Sequence, residues 1–167
     1  MAKRILPDVL TEKEYRALKS FVKKPKHRLA LDLGFGCGLR VSEVLNLYPN
    51  DIDLKRKLLH VRQGKGKKDR YIPIPKHFSN KWEILPIKLT RQALTQLVKR
   101  AAKRAKIKKR VSFHTLRHSC ATILLEKGWD IRQVQVQLGH SSIMTTQIYT
   151  HISQKDLVKK MDETIWG

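Results

Sequence analysis

Acid is scarce in this chain: 14 Asp and Glu stand against 36 Lys and Arg over 167 residues, a formal charge of +22. That imbalance argues against a polycationic partner and for a polyanionic one, with a merely solvated surface as the bland alternative. Cysteine is scarce as well. Cys37 and Cys120 supply no disulfide framework, and their apolar helical settings suggest reduced core residues in a cytoplasmic protein. No apolar run approaches a membrane span, because Asp32 interrupts the most apolar helix candidate, and MAKRILPDVL lacks a signal-peptide core. A basic amphipathic stripe with interleaved aromatics is also missing, so nothing supports the membrane surface as a partner, and none is expected. Neither a P-loop, nor HExxH, nor a carboxylate cluster occurs.

What is present is unevenly spread. Residues 51–110 hold 20 basic and 4 acidic side chains, whereas 1–50 hold 10 and 5, and 111–167 hold 6 and 5. The charge excess therefore lies upstream of a histidine-rich segment. At this length the chain suits one domain with a full core. Thr11 and Glu14 form a capping-box signature that predicts a helix over about 12–22. A second helix is expected over 26–36, after which Gly34, Gly36 and Gly38 loosen the backbone before Arg40. Ser42 is the expected cap of a short helix, Glu43 to about Leu47. The runs LLHV at 58–61 and YIPI at 71–74 then suggest a β-hairpin with the basic, glycine-containing tip QGKGKKDR. Residues 75–89 look like a connector. Thr90 should cap a long basic helix to about 106, followed by helices near 114–127, 131–138, 142–149 and 153–163. The expected class is α+β, mainly helical, with a small antiparallel sheet to one side.

Four residues carry most of the chemistry. His114 and Arg117 lie in FHTLRHSCAT, His140 in LGHSS, and Tyr149 in TTQIYTH; Arg40, in GLRVSEVLNL, and Lys65, in the hairpin tip, extend the set. On a helix His114 and Arg117 share a face. Two guanidinium forks suit a phosphate and the extra negative charge of a pentavalent transition state. Lys65 is long enough to reach a DNA groove and donate a proton, although Lys67 and Lys68 could fill the same place. Tyr149 is a candidate nucleophile if cations or a base lower its pKa, and a packing residue if taken alone. HxxxH at 114 and 118, with Cys120, His140 and His151, offers a metal alternative, disfavoured by the positive charge of Arg117 on the same face.

These five ordered stretches, GLRVSEVLNL, GKGKKDRYIPI, FHTLRHSCAT, LGHSS and TTQIYTH, resemble the catalytic domain of the tyrosine recombinase (phage integrase) family, particularly its Xer-like members. The resemblance spans about residue 8 to about 160. It implies that Arg40 and Arg117 bind the scissile phosphate, that Lys65 is general acid on the leaving 5′ oxygen, and that His114 assists proton transfer. It further implies that His140 hydrogen-bonds the phosphate, that Tyr149 forms a 3′-phosphotyrosyl link, and that Glu43 supports the site. The chain is then expected to be a single catalytic domain over 1–167 without the family's N-terminal DNA-clamping domain.

The expected function is strand cleavage and rejoining on double-stranded DNA, as in site-specific recombination or integration, without metal or ATP. Topoisomerase-like relaxation and a catalytically silent DNA-binding module are the alternatives. Lys67, Lys68 and Arg70 of the hairpin, and Arg100, Lys103 and Arg104 of the long helix, are the expected DNA contacts. The tail 153–167 carries Leu157, Val158, Met161 and Ile165. It is expected either to pack on its own chain or, as the resemblance implies, to dock on a neighbouring protomer in a tetramer on DNA, with a monomer in solution.

Overall fold

Helix α1, Glu12–Ser20, begins as its capping box predicts: the Thr11 hydroxyl accepts from the N–H of Glu14, whose carboxylate accepts from the N–H of Thr11. The computed structural model describes residues 8–62, 68–76, 82–139 and 152–166. Pro25 opens α2, Pro25–Gly36, where its missing N–H costs nothing because first-turn donors have no helical acceptor. Asp32 in this apolar helix is satisfied by Lys19 at 2.6 Å and by the hydroxyl of Tyr15, whose ring stacks on Phe35. Further helices are α3, Val41–Leu45, α4, Arg91–Arg104, α5, Phe113–Glu126, α6, Ile131–Leu138, and α7, Gln154–Glu163.

The strand region contains one element more than the pattern suggested. Strands β1, Ile52–Asp53, β2, Leu58–Val61, and β3, Arg70–Pro73, form an antiparallel sheet in the order β1-β2-β3. Two residues of β1 are too few to show alternation, so that strand left no signal. Leu59 pairs with Ile72 and His60 with Tyr71. Leu59 and Ile72 are buried while Tyr71 faces out, as a half-buried sheet requires. The Asp51 carboxylate meets Arg62 at 2.7 Å, and Asp69 meets His60 at 2.9 Å, both at the tip end of the hairpin stem. The tip itself, 63–67, lies outside the described residues.

Helices α2 and α5 pack against each other at the centre, with α1 and α4 on one side and the sheet, α6 and α7 on the other. The main core includes Leu18, Leu31, Leu33, Leu59, Ile72, Leu94 and Leu116. A smaller cluster joins Cys120, Leu124, Trp129 and Leu138 to Leu157 and Met161 of α7. Both cysteines are buried and free. In this single chain α7 lies against β3, and Trp129 Nε1 donates to Thr164 at 2.9 Å. Of the four apolar residues expected on its packing face, Leu157 and Met161 are buried, whereas Ile165 is 81% exposed.

Three local expectations change. Gly34 and Gly36 do not loosen the backbone: both are helical, and Gly34 serves close packing, since a Cβ there would lie 2.9 Å from Phe113 Cζ. Of these three glycines only Gly38 takes a left-handed conformation, at φ +70. Ser42 is not a cap either. The helix starts two residues earlier, with Arg40 at the N-cap and the Glu43 carboxylate accepting from the Arg40 N–H at 2.8 Å.

Gly38 is confined twice, by its backbone and by Leu138, whose Cδ2 would lie 2.2 Å from an added Cβ; Gly128, at φ +81, has nothing within 4 Å. An alanine in the left-handed region costs roughly 1–2 kcal/mol, and forcing a packed side chain aside costs about 1–3 more. Urea unfolding should therefore find Gly38→Ala at least about 1 kcal/mol more destabilising than Gly128→Ala. Equal losses for the two variants would contradict the crowding at Gly38.

Candidate functional site

The left-handed turn at Gly38 delivers Arg40 to the mouth of a cavity of about 250 Å³, which it lines with Ser42, Arg91, Phe113, His114 and Arg117. That is about eight waters' worth of liquid volume. Helix α5 supplies the opposite wall. Its N-terminus is fixed by a box in which Ser112 and Thr115 each accept the other's backbone N–H, which aims His114 and Arg117 along one face. The two walls are joined directly, because Arg117 donates to the Gly38 carbonyl at 2.7 Å.

One carboxylate organises these cations. Glu43 accepts both terminal nitrogens of Arg70, at 2.8 and 3.1 Å, and the guanidinium of Arg40 at 3.1 Å, while Arg117 stands 3.9 Å away. Burial alone would raise the Glu43 pKa. The hydrogen bonds and charge of Arg70, the Arg40 N–H and the charge of Arg117 outweigh it, leaving the group below the usual carboxylate range. Arg117 is pushed down to about 10 by burial and by Arg40, against the pull of Glu43, so it stays charged at neutral pH. His114 is held below its ordinary value by burial and by His118, Arg117 and Arg40. Its imidazole is therefore neutral at pH 7 and able to accept a proton. His118 meets the His114 ring edge-on at 4.3 Å.

Arg70 requires a correction. Expected at DNA, its side chain is only 11% exposed and is committed to Glu43. Its Nε also points to the Gln137 carbonyl, and an added Cβ on Gly139 would lie 2.7 Å from its side chain. The buried Gln137 donates in turn to the Cys37 carbonyl at 3.2 Å. Arg70 thus ties β3 to the α3 turn and to the end of α6. The signal was available in strand periodicity, since residues 70 and 72 share a face and Ile72 faces the core. Arg91, also at the site, left no comparable trace, and His118, which packs on His114, stood out only through its HxxxH spacing.

The other expected contacts divide. Lys68, Arg100, Lys103 and Arg104 are exposed. Lys65, Lys67, His140 and Tyr149 lie outside the described residues, as does the helix expected over 142–149. Among the described residues no three His, Cys, Asp or Glu converge as a metal site, and Cys120 turns its thiol to the Gly36 carbonyl. A larger groove of about 860 Å³ lies beside α7, lined by Leu58, Val158, Arg56, Lys76, Lys159 and Asp162. It mixes both charge signs and holds neither arginine pair nor histidine, so the smaller cavity is the candidate site. No helix among the described residues is long and apolar enough to cross a membrane.

Removing one partner of a buried ion pair costs about 3–5 kcal/mol, and the partial exposure of Arg40 lowers the expectation here to about 2–4 kcal/mol. Glu43→Gln should lose that much stability at pH 7. Because the folded pKa lies below 4.5, the carboxylate's contribution is present above pH 4.5 and fades as pH falls through the folded value. The stability gap between wild type and variant should accordingly narrow below pH 4.5 in urea titrations. A gap that is absent, or that widens in acid, would contradict the central role of Glu43.

A family model described as the phage integrase family matches residues 8–85 and 78–156. A tyrosine recombinase XerA of Thermococcus kodakarensis is 41% identical over 96% of this chain and 64% of its own length. The crystal structure of XerA recombinase superposes with a TM-score of 0.68 at 30% identity, covering 92% of this chain and 64% of that one. A post-cleavage complex of XerH site-specific recombinase with palindromic difH substrate gives a TM-score of 0.66 at 27% identity, over 92% of this chain and 52% of that one. The chain spans just under two thirds of the length of the XerA relative.

Proposed function

Because the chain belongs to the phage integrase family of tyrosine recombinases, we propose that it cleaves and rejoins DNA strands through a covalent 3′-phosphotyrosyl intermediate. The observation that carries this reading is the convergence of Arg40, Arg117 and His114 on one cavity. Three guanidiniums share the single carboxylate of Glu43, so the cluster keeps a positive surplus for an anion.

In the proposed reaction Arg40 and Arg117 grip the non-bridging oxygens of the scissile phosphate. Preorganised donors in a partly desolvated pocket stabilise the added charge of the transition state far better than water does. The Tyr149 oxygen attacks phosphorus and loses its proton as the bond to the 5′ oxygen breaks. His114, unprotonated at neutral pH, assists that proton's departure, Lys65 delivers a proton to the leaving 5′ oxygen, and His140 hydrogen-bonds the phosphate. A second 5′-hydroxyl then reverses the step, regenerating the phenol and conserving bond energy, so neither ATP nor a divalent metal enters. Glu43 and Arg70 act through Arg40 and Arg117 as positioning residues.

Double-stranded DNA is the proposed substrate. It is supported by the +22 charge and by the difH substrate named for the XerH neighbour. Self-association on DNA is the proposed assembly, as strand exchange joins two cleaved duplexes. The recombinase names of the relatives favour strand exchange over simple relaxation. Lys68, Arg100, Lys103 and Arg104, all exposed, are the proposed additional backbone contacts.

A pool of nicked duplexes with a randomised centre traps a cleaved strand, because the short fragment beyond the nick diffuses away. Denaturing electrophoresis in EDTA should show a protein–DNA adduct with wild type, none with Tyr149→Phe, and at least a hundredfold less with Arg117→Ala. An adduct kept by Tyr149→Phe, or none formed by wild type, would overturn the proposal.

A further inference from the structure

We propose that Arg91 captures a backbone phosphate of the duplex at the rim of the Arg40–Arg117 cavity, acting in initial binding and not in the cleavage step. Resting on the functional reading above, this adds a binding residue that the sequence motifs did not single out. Arg91 is the first residue of α4, held there by the Thr90 cap, and it lines the same 250 Å³ cavity as Arg40, His114 and Arg117. Among the described residues it forms no ion pair, whereas Arg40, Arg70 and Arg117 all approach Glu43.

Burial separates the roles of the three cavity arginines. The Arg117 side chain is 5% exposed and forms the floor, Arg40 is 36% exposed, and Arg91 stands open to solvent. A guanidinium in the floor acts at low effective dielectric, where charge developing on a phosphorane is strongly stabilised. One at a wet rim is screened, and its contribution comes mostly from displacing counterions condensed on the DNA. Neighbouring phosphates of one strand carry the same charge as the scissile one, so an unpaired rim cation beside the clamp takes the next phosphate along. Among the described residues the Arg91 side chain also has no partner to lose, so its replacement leaves the Glu43 cluster intact.

The test compares wild type with Arg91→Gln and with Arg16→Gln, a charge-matched change at an exposed residue of α1 outside the cavity. Anisotropy with a labelled duplex reads affinity at 50 to 200 mM salt. Adduct formation at saturating protein on a nicked duplex selected from the randomised pool reads cleavage. Each lost phosphate contact flattens the log–log salt slope by about 0.9, so the binding defect of Arg91→Gln should shrink about 3.5-fold across that range. Its cleavage rate at saturation should stay within about twofold of wild type, and Arg16→Gln should keep the wild-type slope. An unchanged slope in Arg91→Gln, or the same flattening in Arg16→Gln, overturns the rim contact. A tenfold or larger fall in the saturated cleavage rate places Arg91 in the reaction instead and equally overturns the proposal. Absence of salt-dependent binding by wild type would remove the functional reading itself.

Discussion

A buried carboxylate facing three guanidiniums is the constraint around which this protein is arranged. Like charges this close repel by several kcal/mol at protein-like dielectric, so Arg40, Arg70 and Arg117 cannot gather without Glu43 among them. The reverse also holds: a carboxylate that is 7% exposed needs cations to remain ionised. The fold therefore has to bring three separate chain segments to one point. The α3 turn brings Arg40 and Glu43, the strand following the hairpin tip brings Arg70, and the central helix α5 brings Arg117.

Those segments are also the ones that border the residues proposed to react. Arg70 closes the hairpin whose tip carries Lys65, and it reaches the last turn of α6, immediately before His140. Arg117 is bonded to the Gly38 carbonyl, which fixes the spacing between the α3 turn and α5. A phosphate clamp must be rigid before substrate arrives if its electrostatic stabilisation is not to be lost in reorganisation. Here rigidity comes from charge pairs with bidentate geometry, backed by the apolar packing of α2 on α5. The surplus positive charge left over after Glu43 is counted is what remains for an anionic ligand.

Much of this was legible in the sequence. Capping residues at Thr11 and Thr90 mark helix starts because side-chain oxygens satisfy orphan N–H groups through purely local geometry. Ordered motifs pointed to Arg40, His114 and Arg117, and two of these share a face through helix periodicity alone. Non-local facts were not legible. Arg70 looked like one more cation of a basic hairpin; strand alternation puts it on the face of Ile72, but its pairing with Glu43, 27 positions away, left no trace. Gly34 looked like a flexible position until the Phe113 ring fixed its purpose. Ser42 lost the cap to Arg40 because the Glu43 carboxylate was already bonded to the Arg40 N–H. Each miss concerns a partner distant in sequence or a competition between two local options, which a single sequence does not rank.

The most direct measurement is a structure of the protein bound to a cleaved duplex with vanadate in place of the scissile phosphate, since vanadate adopts the five-coordinate geometry of the transition state. The account expects vanadium bonded to the Tyr149 oxygen and to the 5′ oxygen. Its equatorial oxygens should lie about 2.7–3.1 Å from Arg40 and Arg117 nitrogens, with Glu43 still held between Arg40 and Arg70. Vanadium bonded to another side chain, or Arg40 and Arg117 turned away from it toward Glu43 alone, would contradict the account.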